Sequence, residues 1–396
     1  MLTPQLNTRL GLLFFSTLAG AAYAETINVP GNYANLHDAV QAAQPGDEIL
    51  VGPGEHAAGV SISKSITVRS HAGPEQTTLV GSGDGPVVQL EAGPNGGGTL
   101  VGFTITNGSG HNGGGLFLSG DVAVIDCTVS GNQAQNGGGA FLVGSPVLSD
   151  VRFFSNQAEN GGAVFLSPDA TAILDVCDFF DNSAVSGGAV YISPRGSRTT
   201  FATIGAGAFD DNAANDGAAI YARMSGFDIV EANFNNNFAA ARGGAIFAAD
   251  GEFSSIASAT IRNGEADEGG AIYLDGFGEF RIQDCEISEN TASDWDAAVS
   301  VRDSHELAVQ GTSIWGNSPE PISGDWNDLG SNSFDAPQLC VVDFAAPHGV
   351  IDIQDLMLFV NLFTSRDPAA DLAAPTGMHD LNDLIVFINL YFGGCE

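Results

Sequence analysis

Short apolar runs alternate with glycine- and asparagine-rich breaks along most of the chain, and the alternation keeps a steady period. The phrase "FFSNQAENGGAVFL" at 153–166 returns as "FFDNSAVSGGAVYI", "FDDNAANDGAAIYA" and "FNNNFAAARGGAIF". Within each unit, a stretch such as "AILDVCDFFDN" is β-branched or aromatic and bounded by turn residues, which reads as strand rather than helix. The second apolar run, "GGAVFL" or "GGAIYL", reads the same way. Alignment on asparagine gives Asn107, Asn132, Asn156, Asn182, Asn212, Asn237, Asn263, Asn290 and Asn317, a period of about 24 to 30 residues that marks a solenoid. Two or three short strands per unit, with no helical stretch between them, predict an all-β parallel β-helix of about ten coils.

Several residue types then acquire structural work. A corner repeated in every coil must satisfy turn amides; asparagine tolerates left-handed backbone angles, and its amide can bond the asparagine of the next coil. Asn132, Asn156, Asn182, Asn212, Asn237 and Asn290 are the structural residues expected there. The pairs Gly161-Gly162, Gly187-Gly188, Gly243-Gly244 and Gly269-Gly270 mark the second bend, where positive φ is cheap only for glycine. After them Val164, Val190, Ile220, Ile246, Ile272 and Val299 are the candidate core, stacked at the ~4.8 Å strand spacing. Cys127, Cys177 and Cys285 each precede a repeat asparagine by five residues, where other units hold Val151, Gly207, Ala232 or Thr312, so they read as buried free thiols.

Phe-x-x-Asn followed by Gly-Gly-Ala-aliphatic resembles the repeat of chlamydial polymorphic outer membrane proteins, found also in many bacterial surface proteins, and the resemblance runs over roughly residues 98–318. It implies a right-handed parallel β-helix. Residues 25–97 hold an apolar helical pattern at Leu36, Val40 and Ala43 and then "PGDEILVGPG", which resembles the N-terminal cap and first coils of pectin-lyase-like β-helices. A solenoid end exposes core and strand edges, so an amphipathic cap is expected there. Residues 319–339 read as an end coil and linker.

Residues 340–396 contain a second duplication, "DFAAPHGVIDIQDLMLFVNLF" and "DLAAPTGMHDLNDLIVFINLY", each an Asp-rich loop followed by an amphipathic run. The loops resemble dockerin type I modules, which implies calcium as a cofactor, a protein partner for this end, and Asp343, Asp352, Asp355, Asp371, Asp380 and Asp383 as metal ligands. At the family's other ligand positions this chain has Ala345 and His348, or Ala373 and Thr376, so a clasped helix pair keeping only the loop shape is the alternative. Cys340 and Cys395 bracket the segment and are the expected disulfide.

Composition narrows the function. Arg9, an apolar run to Ala21 and Ala22-Tyr23-Ala24 have the order of a secretory signal peptide over residues 1–24, which predicts an extracellular or cell-surface protein. Nothing later reaches the ~18 consecutive apolar residues of a membrane span. With 47 acidic residues against 12 basic ones, a net charge of −35 and Lys64 as the one lysine, binding to nucleic acid through phosphates is excluded. The same charge repels acidic polysaccharides unless a divalent cation bridges.

An enzyme reading has thin support. A lyase needs a base beside an acid cluster and a hydrolase needs two carboxyls at a set separation. Asp210 and Asp211 are adjacent, which usually makes side chains diverge, and neither the Asn-Thr-Asp nor the Gly-His-Gly motif of polygalacturonase-like enzymes is present. His111 sits in a glycine-rich turn and reads as solvent-facing. Arg242, Arg262, Arg281 and Arg302 recur near corners, where stem packing and pairing with acids explain them. Asp250, Asp267, Glu268, Asp275, Asp294 and Asp296 form either an outer calcium row or a solvated acidic face. The expectation is a non-enzymatic adhesion or glycan-binding β-helix whose partner is an extracellular polysaccharide or surface protein. The alternative is a secreted polysaccharide lyase or glycoside hydrolase. Three or more ionisable groups converging in one lateral groove would favour that alternative.

Overall fold

The computed structural model describes residues 24–334, except 95, 195, 197, 198, 277, 295, 304 and 305, together with 353–365, 370 and 383–388. The expected signal peptide and the Cys340–Cys395 disulfide lie outside the described residues.

One coil illustrates the architecture. Val147–Phe154 runs along one face, Gln157–Asn160 along a second and Val164–Leu166 along a third. Each pairs in parallel with its counterpart in the next coil, placing Phe153 beside Phe179 and Val164 beside Val190. Stacked coils form a 22-stranded sheet, an 11-stranded sheet and a third face of short strands in sheets of three and four. The result is an all-β parallel β-helix with, among the described residues, few helical segments.

Strand alternation fills the interior. Val164, Val190, Ile220, Ile246, Ile272 and Val299 pair in unbroken register and are fully buried. Burying each such side chain is worth about 1.5–3 kcal/mol. Phe153, Phe179, Phe209 and Phe234 form a second inner column, with ring centroids 5.3, 4.5 and 4.6 Å apart.

A buried amide column runs beside these rings. Asn156 Nδ2 and its backbone N–H both donate to Asn182 Oδ1, at 3.1 and 3.0 Å, while Nδ2 also reaches the Val129 carbonyl at 2.8 Å. Asn132, Asn182 and Asn212 repeat the pattern toward Asn156, Asn212 and Asn237, and Asn290 does so toward Asn317.

Two details differ from the sequence reading. Asn107 and Asn263 are one residue out of register: Gly108 and Gly264 hold the column position, their N–H groups donating to Asn132 and Asn290 Oδ1 at 2.9 and 2.8 Å. The left-handed angle also falls on the residue before each column asparagine, at Ser155, Asp181, Asp211, Asn236 and Glu289. That preceding residue turns the corner, which frees the asparagine side chain to point inward. Asn107 and Asn263, with φ of 61° and 53°, occupy this turning position. The glycine pairs likewise divide their work. Gly161 has φ 63°, whereas Gly162 is held to glycine by the next coil, since a Cβ would lie 2.2 Å from the Gly188 carbonyl oxygen.

Helix α1 (Leu36–Ala42) covers the N-terminal end, burying Leu36, Ala39 and Val40. Asn35 Oδ1 accepts from the Asp38 N–H as an N-cap. Lys64 closes the other helix end, its ammonium donating to the carbonyls of Val40, Gln41 and Ala43 at 2.9, 2.8 and 2.8 Å. Those carbonyls lie at a C-terminus, where intrahelical partners run out and a cation is favoured. Helix α2 (Ile353–Ser365) and the helical residues 383–388 stack Phe359 on Phe387, centroids 3.9 Å apart, with Ala370 buried beside them.

Replacing Asn182 by Ala should lower unfolding stability by about 2–4 kcal/mol, because it orphans the buried Asn156 amide and the Phe153 carbonyl. Asn263→Gly should change it by less than about 0.5 kcal/mol. Denaturant unfolding followed by circular dichroism separates the two. Cys127, Cys177 and Cys285 are buried free thiols, and burial pushes Cys127 and Cys177 up to about 12. These raised values give stability that is present below pH 9.0, the ordinary thiol value, and is lost as pH rises toward about 12. Native protein should therefore resist iodoacetamide at pH 8 and label at all three thiols in denaturant; rapid native labelling would contradict this burial.

Candidate ligand groove

Midway along each coil the 22-stranded sheet bends at a residue of positive φ, among them Asp126, Asp150 and Val176, at 51°, 55° and 51°. Asp reaches that conformation more readily than most residues, which puts acids at bends for backbone reasons. Past the bend, inner residues such as Val129, Phe153 and Phe179 are buried. The outer residues stack by register: Thr128 beside Arg152 beside Asp178, and Ser130 beside Phe154 beside Phe180 beside Asp210.

These outer columns floor a groove of about 510 Å³ lined by Thr128, Arg152, Phe154, Asp178, Phe180, Asp181 and Asp211. It runs along the helix axis across four coils. Thr128 and Arg152 also line a second hollow of about 370 Å³, walled by Ala72, Gly73, Pro74, Glu75, Asp126, Cys127 and Asp150. Thr104 Oγ1 holds that wall in place by donating to the Pro74 carbonyl at 2.7 Å. Phe154 is 46% exposed and stacks beside the partly exposed Phe180, so two apolar rings adjoin in the floor.

Carboxylates dominate the electrostatics. Arg152 Nε lies 3.7 Å from Asp178 Oδ2 in a solvated pair, a geometry that holds little energy. Desolvation, reinforced by the neighbouring Asp150, pushes the Asp126 carboxyl above its ordinary value. Desolvation followed by Asp211 and Asp178 does the same to Asp210, against the opposing charge of Arg262.

Of the residues singled out in the sequence, the groove gathers few. The column asparagines are interior. Asp211 lines the groove and Asp210 abuts its end. His111 is exposed. Arg242 pairs with Asp216 at 2.8 Å and lays its guanidinium 4.7 Å from the Phe247 ring centroid, while Arg281 pairs with Glu279. Arg302 lies 3.7 Å from Glu268 and 3.6 Å from Asp296. Among the outer acids, Asp250 meets Arg223 at 3.0 Å and its N–H donates to the Asp275 carbonyl at 2.9 Å, while the Asp267 carboxylate accepts from Ser293 at 2.7 Å and its carbonyl from the Asp294 N–H at 3.0 Å. Among the described residues, no group of three or more His, Cys, Asp or Glu is placed to hold a metal ion. Asp343, Asp352, Asp371 and Asp380 lie outside the described residues, as does the side chain of Asp355; Asp383 is buried.

The sequence reading missed Asp126, Asp150, Arg152, Phe154, Asp178 and Phe180. A signal was present: Phe154 and Phe180 double the repeat phenylalanine where later units place Asp210 and Asn235. It also missed an outer ring column, Phe117, Phe141, Phe165, Tyr191, Tyr221, Phe247 and Tyr273, stacked at 4.7–5.7 Å.

Residues 231–249 match the Chlamydia polymorphic membrane protein repeat. The matched span holds Phe234, Asn237, Gly243, Gly244 and Ile246, one full copy of the recurring phrase. No curated protein sequence matches the chain. Among solved structures, it is similar to the A-module of Azotobacter vinelandii mannuronan C-5 epimerase AlgE6, at 14% identity over 76% of this chain and 93% of that one, TM-score 0.48. A PL6 family polysaccharide lyase from Pseudopedobacter saltans is similar at 14% identity, 79% and 92% coverage and TM-score 0.42. Pectate lyase Pel9A is similar at 13%, 83% and 84% coverage and TM-score 0.38. At such identities the likeness is one of coil shape. Among the described residues, no helix is long and apolar enough to cross a membrane.

Replacing Asp150 by Asn should bring the Asp126 carboxyl back toward its ordinary value without fully restoring it, because desolvation is the larger cause. A carboxyl-detected NMR titration reads this directly. No movement would mean the two carboxylates do not share the hollow.

Proposed function

We propose that this chain is an exported surface β-helix that holds a polysaccharide along the groove floored by Arg152, Phe154, Asp178 and Phe180. The observation that carries the reading is the groove itself, an open channel along the helix axis with two partly exposed phenylalanine rings amid hydrogen-bonding side chains. An extended polymer with apolar ring faces and many hydroxyls fits such a channel better than a compact molecule, which would call for an enclosed pocket.

The C-terminal segment supplies attachment. Met357 and Val360 are exposed on α2, and Ile385 and Ile388, their counterparts in the second copy, are exposed too. Two matching apolar patches on a duplicated helix pair support a protein partner at this end.

One observation favours the enzymatic reading: Asp126, Asp150 and Arg152 converge on one hollow. Against it, Asp126, Asp150 and Arg152 are all exposed, and chemistry of this kind gains most where water is excluded. Binding is therefore the better-supported role.

The mature chain should be retained on at least one polysaccharide of a mixed panel, without releasing reducing ends or unsaturated products. Phe154→Ala with Phe180→Ala should weaken retention about tenfold or more. Product formation that Asp126→Asn abolishes would replace binding by catalysis, and retention indifferent to both phenylalanines would remove the groove from the account.

A further inference from the structure

We infer that the groove takes a polysaccharide carrying free amino groups, of the hexosamine class. This rests on the glycan-binding reading above and specifies its ligand.

Charge complementarity and spacing carry the inference. Two stacked acid pairs flank the phenylalanine floor on opposite sides: Asp126 and Asp150 at the bend, Asp181 and Asp211 at the corner. Arg152 is the one cation lining either hollow, and Asp178 already lies 3.7 Å from it. Glu75, Asp126, Asp150, Asp178, Asp181 and Asp211 thus face a single arginine across the two hollows, on a chain whose net charge is −35, which favours cations along the channel. A uronate polymer is repelled there, and a neutral polymer leaves the flanking carboxylates with water alone. The pairs are staggered, Asp126 and Asp150 on two successive coils and Asp181 and Asp211 on the next two, so successive ammonium groups would meet one pair and then the other while the apolar face of the ring rests on Phe154 or Phe180. Desolvation first, and the neighbouring carboxylates after it, push Asp126 and Asp210 above their ordinary values, so a cation brought to the channel would relieve part of that push.

Spacing favours a sugar over a basic peptide. Coils repeat every ~4.8 Å along the axis, close to the advance of one pyranose unit in an extended chain. Successive sugars would thus meet successive coils. A peptide strand advances ~3.3 Å per residue, and its same-side chains ~6.6 Å, so its cations drift out of step within a few coils.

The test compares binding of a fully deacetylated glucosamine oligomer with its N-acetylated counterpart, a neutral glucose oligomer, an oligouronate with and without calcium, and oligolysine. The deacetylated oligomer should bind about tenfold or more tighter than the N-acetylated and neutral ones, with the advantage shrinking in high salt. The double variant Asp181→Asn, Asp211→Asn should erase most of that advantage while leaving weak binding that still depends on Phe154. Equal or tighter binding of the acetylated or neutral oligomer, with Phe154 dependence intact, would overturn the amine inference and spare the glycan groove. Calcium-dependent uronate binding, or oligolysine matching the glucosamine oligomer, would also overturn the inference. Absence of binding to every glycan would overturn both readings together.

Discussion

In-register parallel stacking is the constraint on which the rest of this structure depends. Every coil must lay its amides and carbonyls on the next at the strand spacing, so each side chain meets its own counterpart above and below. Inside, that demand selects like on like: the aliphatic column through Val164 and Ile246, the ring column through Phe153 and Phe209, and the amide column through Asn156 and Asn182. The asparagines matter most to register. A one-residue slip would bury a turning residue in place of an amide that satisfies a neighbouring N–H and a neighbouring carbonyl.

Coil length varies from 24 to 30 residues between column asparagines, yet the register holds because extra residues are absorbed in the loops between faces. The longest of these coils, from Asn182 to Asn212, leaves the pairing of Val190 with Ile220 undisturbed. At the N-terminal end of the described stack, α1 buries Leu36, Ala39 and Val40, and Lys64 caps the carbonyls of that helix. The outer face is less constrained. There the chain can place Arg152, Phe154, Asp178 and Phe180 against the local pattern without cost to the interior.

Fold class was legible because a period of short β-branched runs has few physical solutions. The core aliphatics and buried thiols followed from position within the period. Asn107 and Asn263 were misplaced for an instructive reason: asparagine suits both the inward amide column and the left-handed turn one residue earlier, so alignment by letter cannot separate the two. The groove was not legible because its walls come from residues that are neighbours only after stacking, such as Glu75 with Asp150 and Thr128 with Asp178. The doubled phenylalanines were visible in the sequence, but a repeat phrase that already explains one phenylalanine conceals the second.

Side-chain oxidation by hydroxyl radicals, with and without a retained polysaccharide, tests the central claim most directly, since it reads exposed aromatic rings one at a time. Phe154 is 46% exposed, and Phe238 and Phe253, at 50% and 38%, serve as internal references away from the groove. The account predicts that bound polymer protects Phe154 and Phe180 while the references oxidise at unchanged rates. Protection of the references or of Met357 instead, with Phe154 reacting as before, would place binding elsewhere and contradict the groove.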